Sequence, residues 1–378
     1  MSRGIVRLLD FHTGDIARLA QAGRRRVLSL PAGRDFSSND YLGLAASGAL
    51  SQAAQDALAR GVSVGSGGSR LLRGNRAEHE ALEAAAAGFF GSETALFLGS
   101  GFAANSLLFS TLPQSGDLIL HDELVHASAH EGMRLSRAAY RSFRHNDASD
   151  AATQIARWRG EGNRGTVWLA FETLYSMDGD RAPVSDFAAL AEREGVMLVV
   201  DEAHAAGVYG QAGRGLAADL HGAQNVIVLA TCGKAMGCEG ALVLAAEPLR
   251  DFLINRGRSF IFSTAPSPLM AEIARASLGL VAQADGRRER LAALVHHAGK
   301  ALAPLGIAGS GSQIQPVVIG DDARTMEIAA ALQERGFDVR GIRPPSVPAG
   351  TARLRISITL NTDEAVIDGL RDALEDLL

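Results

Sequence analysis

Short apolar runs alternate with alanine-rich stretches of helical pattern from about residue 35 to residue 263. The apolar runs span residues 94–98, 118–120, 166–171, 196–200, 226–230 and 240–244. Continuous apolar runs, rather than alternating apolar and polar residues, are typical of parallel strands buried on both faces. The order of runs and helical stretches therefore predicts an α/β fold, with a mostly parallel sheet covered by helices.

The two ends of the chain have a different pattern. Residues 1–36 indicate an N-terminal arm, with a short amphipathic helix near 16–22 and no core of its own. After a long helical stretch at 268–305, the chain alternates between strand and helix patterns at 314–319, 325–335, 354–358 and 363–378. We expect three segments: an arm (1–36), a large domain (37–265) and a small C-terminal α+β domain (266–378).

Composition narrows the class of protein. With 378 residues, 47% of them hydrophobic, the chain is long enough for two packed units. A net charge of -5 provides no basic surface for nucleic acid. Cys232 and Cys238 form neither a disulfide framework nor a zinc ligand set, so we expect a reducing cytoplasm. We expect no secretory signal and no membrane span, since glycine and proline interrupt the uncharged stretch 94–116.

A lysine and an aspartate follow two of the apolar runs. Lys234 follows the run 226–230 and stands between two glycines, and Asp201 ends the run 196–200. Because neighbouring parallel strands end at one edge of a sheet, we expect the amine and the carboxylate at the same edge. The pair suits pyridoxal phosphate: the amine can form an imine with the cofactor aldehyde, and the carboxylate can keep the pyridine nitrogen protonated. Alone, each residue is weak support, since most lysines are surface residues.

A glycine-rich turn, Gly99-Ser100-Gly101-Phe102-Ala103-Ala104, lies between the first apolar run and a helical stretch. Free backbone N–H groups at such a helix start can hold a phosphate. The turn also matches the dinucleotide pattern G-x-G-x-x-A, so a nicotinamide or flavin enzyme is a competing interpretation, with Asp117, Asp122 and Glu123 as candidate ribose ligands. A turn that only packs a helix on a sheet is the third interpretation.

Three histidines, His121, His126 and His130, are close in sequence and raise the question of a metal site. No further ligand cluster accompanies them, so we predict no metal. A neutral imidazole could instead cover one face of a cofactor ring, and His126 is the candidate.

The run Asp201-Glu202-Ala203-His204 spells a helicase-like box, but the chain has no G-x-x-x-x-G-K-[ST] loop. Asp201 therefore stays a candidate for the carboxylate that keeps the pyridine nitrogen of the cofactor protonated. The alternative is that its side chain only caps the following turn.

The segment 343–355 combines three prolines with Arg343, Arg353 and Arg355. Prolines stiffen a loop, and a guanidinium fork binds a carboxylate at two points. The segment is therefore a candidate clamp for an amino-acid substrate. The alternative is a set of solvent-facing arginines beside an edge strand.

Several segments together resemble the α-oxoamine synthase family. They span almost the whole chain, at residues 36–44, 65–70, 100–105, 176–180, 201–204, 231–234 and 342–355. The resemblance implies a pyridoxal-phosphate-dependent enzyme of fold type I, similar to aspartate aminotransferase. Its large domain would contain a mostly parallel seven-stranded sheet, followed by a small C-terminal α+β domain. The resemblance also implies a homodimer with the active site at the subunit interface.

The resemblance further implies a role for each matching residue. The catalytic set would be Lys234 as the imine lysine, Asp201 at the pyridinium, His126 stacked on the ring, and His204. Other cofactor contacts would come from Ser176 near the phenolic oxygen, from Gly101, Phe102 and Thr231 at the phosphate, and from Ser263 and Thr264 of the second subunit. Substrate contacts would come from His126, Asn39, Ser69, Ser346, Arg355 and Arg26, with Arg24 and Arg25 open as alternatives to Arg26.

The segment 342–355 most resembles the branch of the family that uses pimeloyl thioesters. This implies an acyltransferase of biotin biosynthesis that condenses L-alanine with a pimeloyl thioester, on coenzyme A or an acyl carrier protein, to give 8-amino-7-oxononanoate, carbon dioxide and free thiol. The alternative within the family is a glycine-using enzyme of the 2-amino-3-ketobutyrate CoA ligase or 5-aminolevulinate synthase type. Ser69, where aminolevulinate-forming relatives carry threonine, favours alanine. A nicotinamide dehydrogenase remains the alternative outside the family.

Overall fold

The chain forms two compact units. The computed structural model describes residues 3–378, with side chains from Leu8 onward. The larger unit comprises Asn39–Ala293 and Thr359–Asn361, and the smaller comprises the described chain up to Ser38, Leu294–Ile358 and Thr362–Leu378. The expected segment boundaries after residues 36 and 265 remain predictions.

One seven-stranded sheet forms the centre of the larger unit. Its strands are β1 (Thr94–Leu98), β2 (Leu118–Asp122), β3 (Ala139–Phe143), β4 (Val167–Glu172), β5 (Met197–Asp201), β6 (Val226–Thr231) and β7 (Ala241–Ala245). They lie in the order β1-β7-β6-β5-β4-β2-β3. Strand β7 is antiparallel to both neighbours, and the other neighbouring pairs are parallel. The predicted α/β fold with a mostly parallel seven-stranded sheet is confirmed.

Both faces of the central strands are buried. Every residue of β1, β2, β4, β6 and β7 is buried, and helical residues such as Leu107, Leu108 and Met133 belong to the same apolar core. Strands in this position need apolar residues on both faces, so they appear in the sequence as continuous runs. This is why the six predicted runs coincide with strands to within two residues at each end.

Strand β3 was not predicted because most of its residues are exposed, unlike those of the other edge strand, β1, which are all buried. Ala139, Tyr140 and Ser142 are exposed, and only Phe143 of this strand is fully buried. An edge strand pairs on one side and can carry polar residues. Its sequence, Ala-Tyr-Arg-Ser-Phe, therefore contains no continuous apolar run.

Helices connect and cover the strands. Their bounds are Arg3–Gln21, Gly48–Ala59, Ala77–Phe90, Gly101–Thr111, Ala127–Arg134, Ala148–Gly160, Val184–Glu194, Glu247–Arg256, Arg258–Ile261, Pro268–Ala282, Asp285–Leu302, Asp322–Glu334 and Glu364–Glu375, with single turns at Arg70–Gly74, Gln211–Gly213, Ala218–Leu220 and Ala303–Leu305. Several helices begin at a Ser or Asp whose side chain accepts a backbone N–H, as at Ser47, Ser100 and Asp147. Such caps satisfy N–H groups that have no partner within the helix.

The helical stretch 268–305 consists of two helices and a final single turn. The chain breaks at Gln283 and Ala284 between Pro268–Ala282 and Asp285–Leu302. Asp285 opens the second helix, where an acidic side chain interacts favourably with the helix dipole. The arm helix also differs from its prediction, since it extends over Arg3–Gln21.

The smaller unit contains a three-stranded antiparallel sheet. Its strands are β8 (Ile314–Gly320), β9 (Arg340–Ile342) and β10 (Ala352–Ser357), in the order β9-β10-β8. In addition, Arg34–Asp35 pairs in parallel with Phe337–Asp338. Strand β10 is buried along its whole length. Among the residues that the structure describes, no helix combines the length and apolar character needed to cross a membrane.

Candidate active site

Polar residues end four parallel strands at one edge of the larger sheet. Strands β2, β4, β5 and β6 end at Asp122, Glu172, Asp201 and Thr231. Ligands of open α/β sheets bind outside the carboxyl ends of the strands. A cavity lies at this edge, lined by Gly101, Phe102, Asn105, His126, Ser128, Glu172, Asp201, Ala203, His204, Leu229, Thr231 and Lys234.

The carboxylate of Asp201 is held in a fixed orientation. Its Oδ1 accepts the backbone N–H of Ala203 at 2.9 Å, and its Oδ2 accepts Asn105 Nδ2 at 2.9 Å. Asn105 Nδ2 also lies 3.0 Å from Ser128 Oγ. Each carboxylate oxygen has two lone pairs, so Asp201 can still accept a hydrogen bond from a ligand in the cavity.

Lys234 stands in a tight turn between β6 and β7. Cys232 N–H donates to Gly240 O at 2.9 Å, Cys238 N–H to Cys232 O at 2.9 Å, and Gly237 N–H to Lys234 O at 2.8 Å. Gly237 has φ +63°, and a Cβ there would lie 2.5 Å from the backbone N of Ala45. The turn thus requires glycine at this position, and it places the lysine in the same cavity as Asp201.

The imidazole of His126 lines the cavity in its neutral form. Its Nδ1 accepts the backbone N–H of Ser128 at 3.2 Å, which caps the helix Ala127–Arg134. Partial burial lowers the pKa of His126; the charge of Asp201 opposes this shift, and that of Lys234 adds to it. A neutral ring beside the cavity matches the form expected for stacking on a cofactor.

An anion can bind where the helix Gly101–Thr111 begins. Ser100 Oγ accepts the N–H of Ala103 at 3.1 Å, while Gly101 and Phe102 line the cavity. A Cβ on Gly101 would lie 3.7 Å from Thr231 Oγ1, so the Thr231 hydroxyl is beside this helix start. Backbone N–H groups, the helix dipole and a hydroxyl are suited to a phosphate.

Glu172 is a cavity residue that the sequence analysis missed. It is 3% exposed, and its Oε1 has no hydrogen-bond partner among the described residues. Burial raises the pKa of Glu172 well above its ordinary value, and the neighbouring charge of Asp201 adds to the shift. Glu172 is paired with Asp201 across β4 and β5. The same-edge argument applied to Asp201 would have identified it.

His204 is connected to Asn39 through a tyrosine. Tyr41 Oη lies 2.7 Å from His204 Nδ1, and it donates to Asn39 Oδ1 at 3.0 Å. Tyr41 is fully buried. Asn105 and Ser128 were not predicted, because only tertiary contacts bring them to the cavity, and the same holds for the contact of Tyr41 with His204.

Four other candidates of the larger unit do not line the cavity. Ser176 is buried, and its backbone N–H faces the Glu172 carboxyl group. Ser69 is half-buried at the start of the turn Arg70–Gly74. Ser263 and Thr264 are exposed.

Three substrate candidates belong to the smaller unit. Arg26 and Ser346 are exposed. Arg355 is 6% exposed within β10, and its guanidinium donates to Ser357 Oγ at 2.8 Å. In the same unit Arg24 donates to Asp322 Oδ2 from Nε and from a terminal nitrogen, at 3.1 and 2.8 Å.

The acidic residues considered as ribose ligands have structural contacts. Asp117 precedes β2, at the opposite edge of the sheet from the cavity, and accepts Thr166 N–H and Trp168 Nε1 at 2.8 and 3.1 Å. Asp122 contacts His145, and Glu123 accepts the backbone N–H of His145. Within the described part of the chain, no three His, Cys, Asp or Glu residues are grouped so that they could hold a metal ion.

Known proteins resemble this chain over nearly its whole length. The family model for class I and II aminotransferases matches residues 33–374. The chain is 41% identical over 374 residues to 8-amino-7-oxononanoate synthase of Chromobacterium violaceum, covering 96% of each chain. It is 43% identical over 363 residues to the enzyme of that name from Anaeromyxobacter dehalogenans, covering 95% of this chain and 88% of the relative.

Solved structures show the same similarity. Serine palmitoyltransferase from S. paucimobilis with bound PLP-myriocin aldimine matches with a TM-score of 0.88 and 27% identity, over 98% of both chains. The 8-amino-7-oxononanoate synthase from Francisella tularensis matches with a TM-score of 0.75 and 26% identity, over 91% of this chain and 96% of that chain.

Proposed function

We infer that this chain, which belongs to the class I and II aminotransferase family, has the activity for which its relatives are named, 8-amino-7-oxononanoate synthase. The enzyme is then an acyltransferase of biotin biosynthesis that condenses L-alanine with a pimeloyl thioester. The observation that carries this inference is the presence of Lys234 and Asp201 in one cavity. The relatives' names do not favour the glycine-using alternative.

The residues of the cavity fit pyridoxal 5'-phosphate, the cofactor of this enzyme class. When bound, its pyridinium ring withdraws electrons from the α-carbon of the amino acid. Lys234 Nζ would attach to the cofactor aldehyde, and Asp201 would accept a hydrogen bond from the ring nitrogen. Gly101 and Phe102 N–H groups and the Thr231 hydroxyl would hold the phosphate.

Lys234 would also move the proton in the reaction. Once the substrate amine has replaced it, the released Nζ remains in the cavity wall and can take the proton from the α-carbon of alanine. Asp201 keeps its orientation because Asn105 and the backbone of Ala203 hold both its oxygens. A protonated Glu172 adds no second negative charge beside Asp201. His126 would cover one face of the ring, and His204 and Ser176 would bind near its phenolic oxygen.

The substrate contacts are part of this proposal. Asn39 and Arg355 would bind the substrate carboxylate, and Ser346 and Ser69 would touch the substrate. Arg26 is preferred over Arg24 because Arg24 already pairs with Asp322, and Arg25 stays an alternative. The thioester would be carried on coenzyme A or an acyl carrier protein, since an arginine cluster suits either phosphorylated carrier.

We also propose that the enzyme is a homodimer whose subunits complete each other's active site. Ser263 and Thr264 are exposed and do not line the cavity of their own chain. They follow Phe262, which is 72% exposed and would be covered by the partner subunit in this arrangement. A reducing, cytoplasmic compartment also remains a prediction.

A condensation assay tests the proposed activity. The protein loaded with pyridoxal phosphate is mixed with L-alanine or glycine and with pimeloyl-CoA, pimeloyl-acyl carrier protein, acetyl-CoA or succinyl-CoA. Thiol release and the product mass are measured. We expect 8-amino-7-oxononanoate from alanine and a pimeloyl donor, and the preferred pimeloyl carrier identifies the natural donor.

A matched lysine variant provides the control for this assay. The sequence contains two lysines, Lys234 and Lys300, and Lys300 is exposed. Lys300→Ala should keep the activity, whereas Lys234→Ala should lose it. Preferred turnover of glycine with acetyl-CoA or succinyl-CoA would contradict the proposed substrate and indicate the other branch of the family.

A further inference from the structure

A histidine that does not line the cavity bridges two carboxylates. His145 Nδ1 lies 3.0 Å from Asp122 Oδ1, and His145 Nε2 lies 2.7 Å from Asp180 Oδ2. A neutral imidazole has one N–H, so only the imidazolium can donate to both carboxylates. Burial alone would lower the pKa of His145, but the hydrogen bonds and charges of Asp122 and Asp180 outweigh it and raise the pKa to about 10.

The first carboxylate organises the turn that leads to His126. Asp122 Oδ1 also accepts the backbone N–H of Leu124 at 2.9 Å, and the Asp122 carbonyl oxygen accepts that of Val125 at 3.3 Å. His126 follows immediately and caps the next helix. The orientation of Asp122 therefore determines where His126 enters the cavity.

The second carboxylate belongs to the turn that carries Ser176. Tyr175 N–H donates to Asp180 O at 3.0 Å, and Gly179 N–H donates to Tyr175 O at 2.9 Å, which closes the turn 175–180. The Tyr175 ring meets His145 edge-on, with ring centroids 4.5 Å apart. His145 thus contacts this turn through an ion pair and through an aromatic ring.

The two turns also meet at the cavity. The backbone N–H groups of His126 and Ser176 both face the Glu172 carboxyl group and oppose the rise of its pKa. Glu172 itself lines the cavity. The turns therefore come together near Glu172 on the cavity wall, and His145 joins them outside it.

Two neighbours of His145 support the same connection. Asn146 donates its backbone N–H to Asp122 Oδ2 and its Nδ2 to Asp180 Oδ2, each at 2.7 Å. Glu123 Oε1 accepts the backbone N–H of His145 at 3.0 Å. A substitution at the His145 side chain leaves these bonds in place, so the fold of a variant should survive while the bridge is lost.

We propose that His145 is a positioning residue, whose imidazolium joins Asp122 to Asp180 and so holds in register the two turns that carry His126 and Ser176. Among the described ion pairs, no other cationic side chain contacts both Asp122 and Asp180. The proposal rests on the proposed function only in so far as the cavity binds pyridoxal phosphate.

The test compares His145→Gln with the wild-type protein. A glutamine can donate to one carboxylate, but its amide oxygen then faces the other. We expect faster amide hydrogen exchange in peptides covering 122–126 and 175–180, with unchanged exchange in the helix Ala77–Phe90. We also expect a rise on the order of tenfold in the Kd for pyridoxal phosphate, and a changed visible circular dichroism per bound cofactor.

A second substitution should rescue the first. In His145→Gln/Asp180→Asn, the side-chain amide introduced by Asp180→Asn can donate to the glutamine oxygen while the glutamine amide donates to Asp122, so two hydrogen bonds replace the ion pairs. The Asn146 amide, which now donates to Asp180 Oδ2, can turn so that its unpartnered Oδ1 accepts the second N–H of the introduced amide. We expect exchange in both segments to slow again, and the Kd to return to within about threefold of wild type. His297→Gln, which breaks a single half-exposed pair with Asp368, is the control and should change neither segment.

Three results would overturn the proposal: wild-type exchange in both segments of His145→Gln, a uniform increase across all peptides, or a double variant no better than the single one. If the wild-type protein bound no pyridoxal phosphate, the proposed function would fail. The exchange measurements on the cofactor-free protein would still decide the role of His145.

Discussion

The cavity and the ion-pair cluster around His145 contain the same kinds of side chain in opposite states. In the cavity, His126 is neutral because partial burial lowers its pKa, and burial raises the pKa of Glu172 well above its ordinary value. In the cluster, His145 is a cation because two carboxylates face it. Burial acts in the same direction on both histidines, so the neighbouring charges decide the difference.

The comparison separates binding groups from supporting groups. In the cluster, His145 donates from both ring nitrogens, and Asp122 accepts hydrogen bonds from His145, Asn146, Leu124 and Val125. In the cavity, Glu172 Oε1 has no partner among the described residues. Asp180 Oδ1 and Asn146 Oδ1 in the cluster also have none, so its position on the cavity wall, rather than the lack of a partner, makes Glu172 available to a ligand.

The largest expected effect follows from removing the cavity carboxylate. Asp201→Asn keeps the shape and can still contact Asn105, but a neutral amide cannot stabilise a protonated ring nitrogen. We expect exchange of the alanine α-proton with deuterium, measured by NMR without an acyl donor, to fall roughly 10²–10⁴-fold while cofactor is still bound. The control Asp251→Asn changes an exposed aspartate, and near-normal exchange in Asp201→Asn would remove Asp201 from the mechanism.

Substitutions of Glu172 test whether the cavity contains a second negative charge beside Asp201. If the Glu172 carboxyl group is protonated, Glu172→Gln should stay within about threefold of wild type in cofactor Kd, since glutamine keeps an acceptor oxygen. Glu172→Ala removes the carboxyl group that faces the backbone N–H groups of His126 and Ser176 and should weaken cofactor binding about 10- to 100-fold. Equal loss in both variants, measured by fluorescence titration, would show that Glu172 works as a carboxylate.

From the raised pKa of His145 we expect the protein to lose stability at high pH. The pKa of His145 is about 10 in the folded protein and about 6.5 in an unfolded chain. Its contribution to the free energy of unfolding is therefore complete below pH 6.5 and is lost as the pH rises toward 10, a loss on the order of 4 kcal/mol. Urea unfolding between pH 6.5 and 9.5 should show this slope in the wild type and in His297→Gln, and a smaller slope in His145→Gln.

From the lowered pKa of His126 we expect a smaller loss of stability at low pH. Because this pKa is lowered in the folded protein, the unfolded chain binds the proton more readily, and stability falls as the pH drops below about 6.5. The ring is exposed to the cavity, so we expect only a few tenths of a kcal/mol. His126→Asn, which retains a capping side chain, should flatten this part of the unfolding profile, and an unchanged profile would contradict the neutral state of His126.

Sequence alone predicted the parts of the fold that depend on local pattern. Buried strands such as β4 and β6 appear as apolar runs, and Lys234 and Asp201 were placed at one sheet edge from their positions after such runs. The edge strand β3 has no apolar run, because most of its residues are exposed. This feature depends on tertiary surroundings.

The supporting residues were beyond sequence reasoning for a similar reason. His145 contacts Asp122 and Asp180, which are 23 and 35 residues away in the chain, and no local motif relates these positions. Tyr41 reaches His204 across 163 residues. Glu172, by contrast, ends a predicted strand just as Asp201 does, and it could have been found.

The most direct test of the account is borohydride reduction of the cofactor-loaded protein, followed by peptide mass spectrometry. Borohydride fixes a pyridoxyl group on the amine that holds the cofactor, and the chain offers two lysine side chains, Lys234 and Lys300. The account predicts the label on the peptide containing Lys234 and none on the peptide containing Lys300. A label on Lys300, or an unlabelled Lys234 in protein saturated with pyridoxal phosphate, would contradict it.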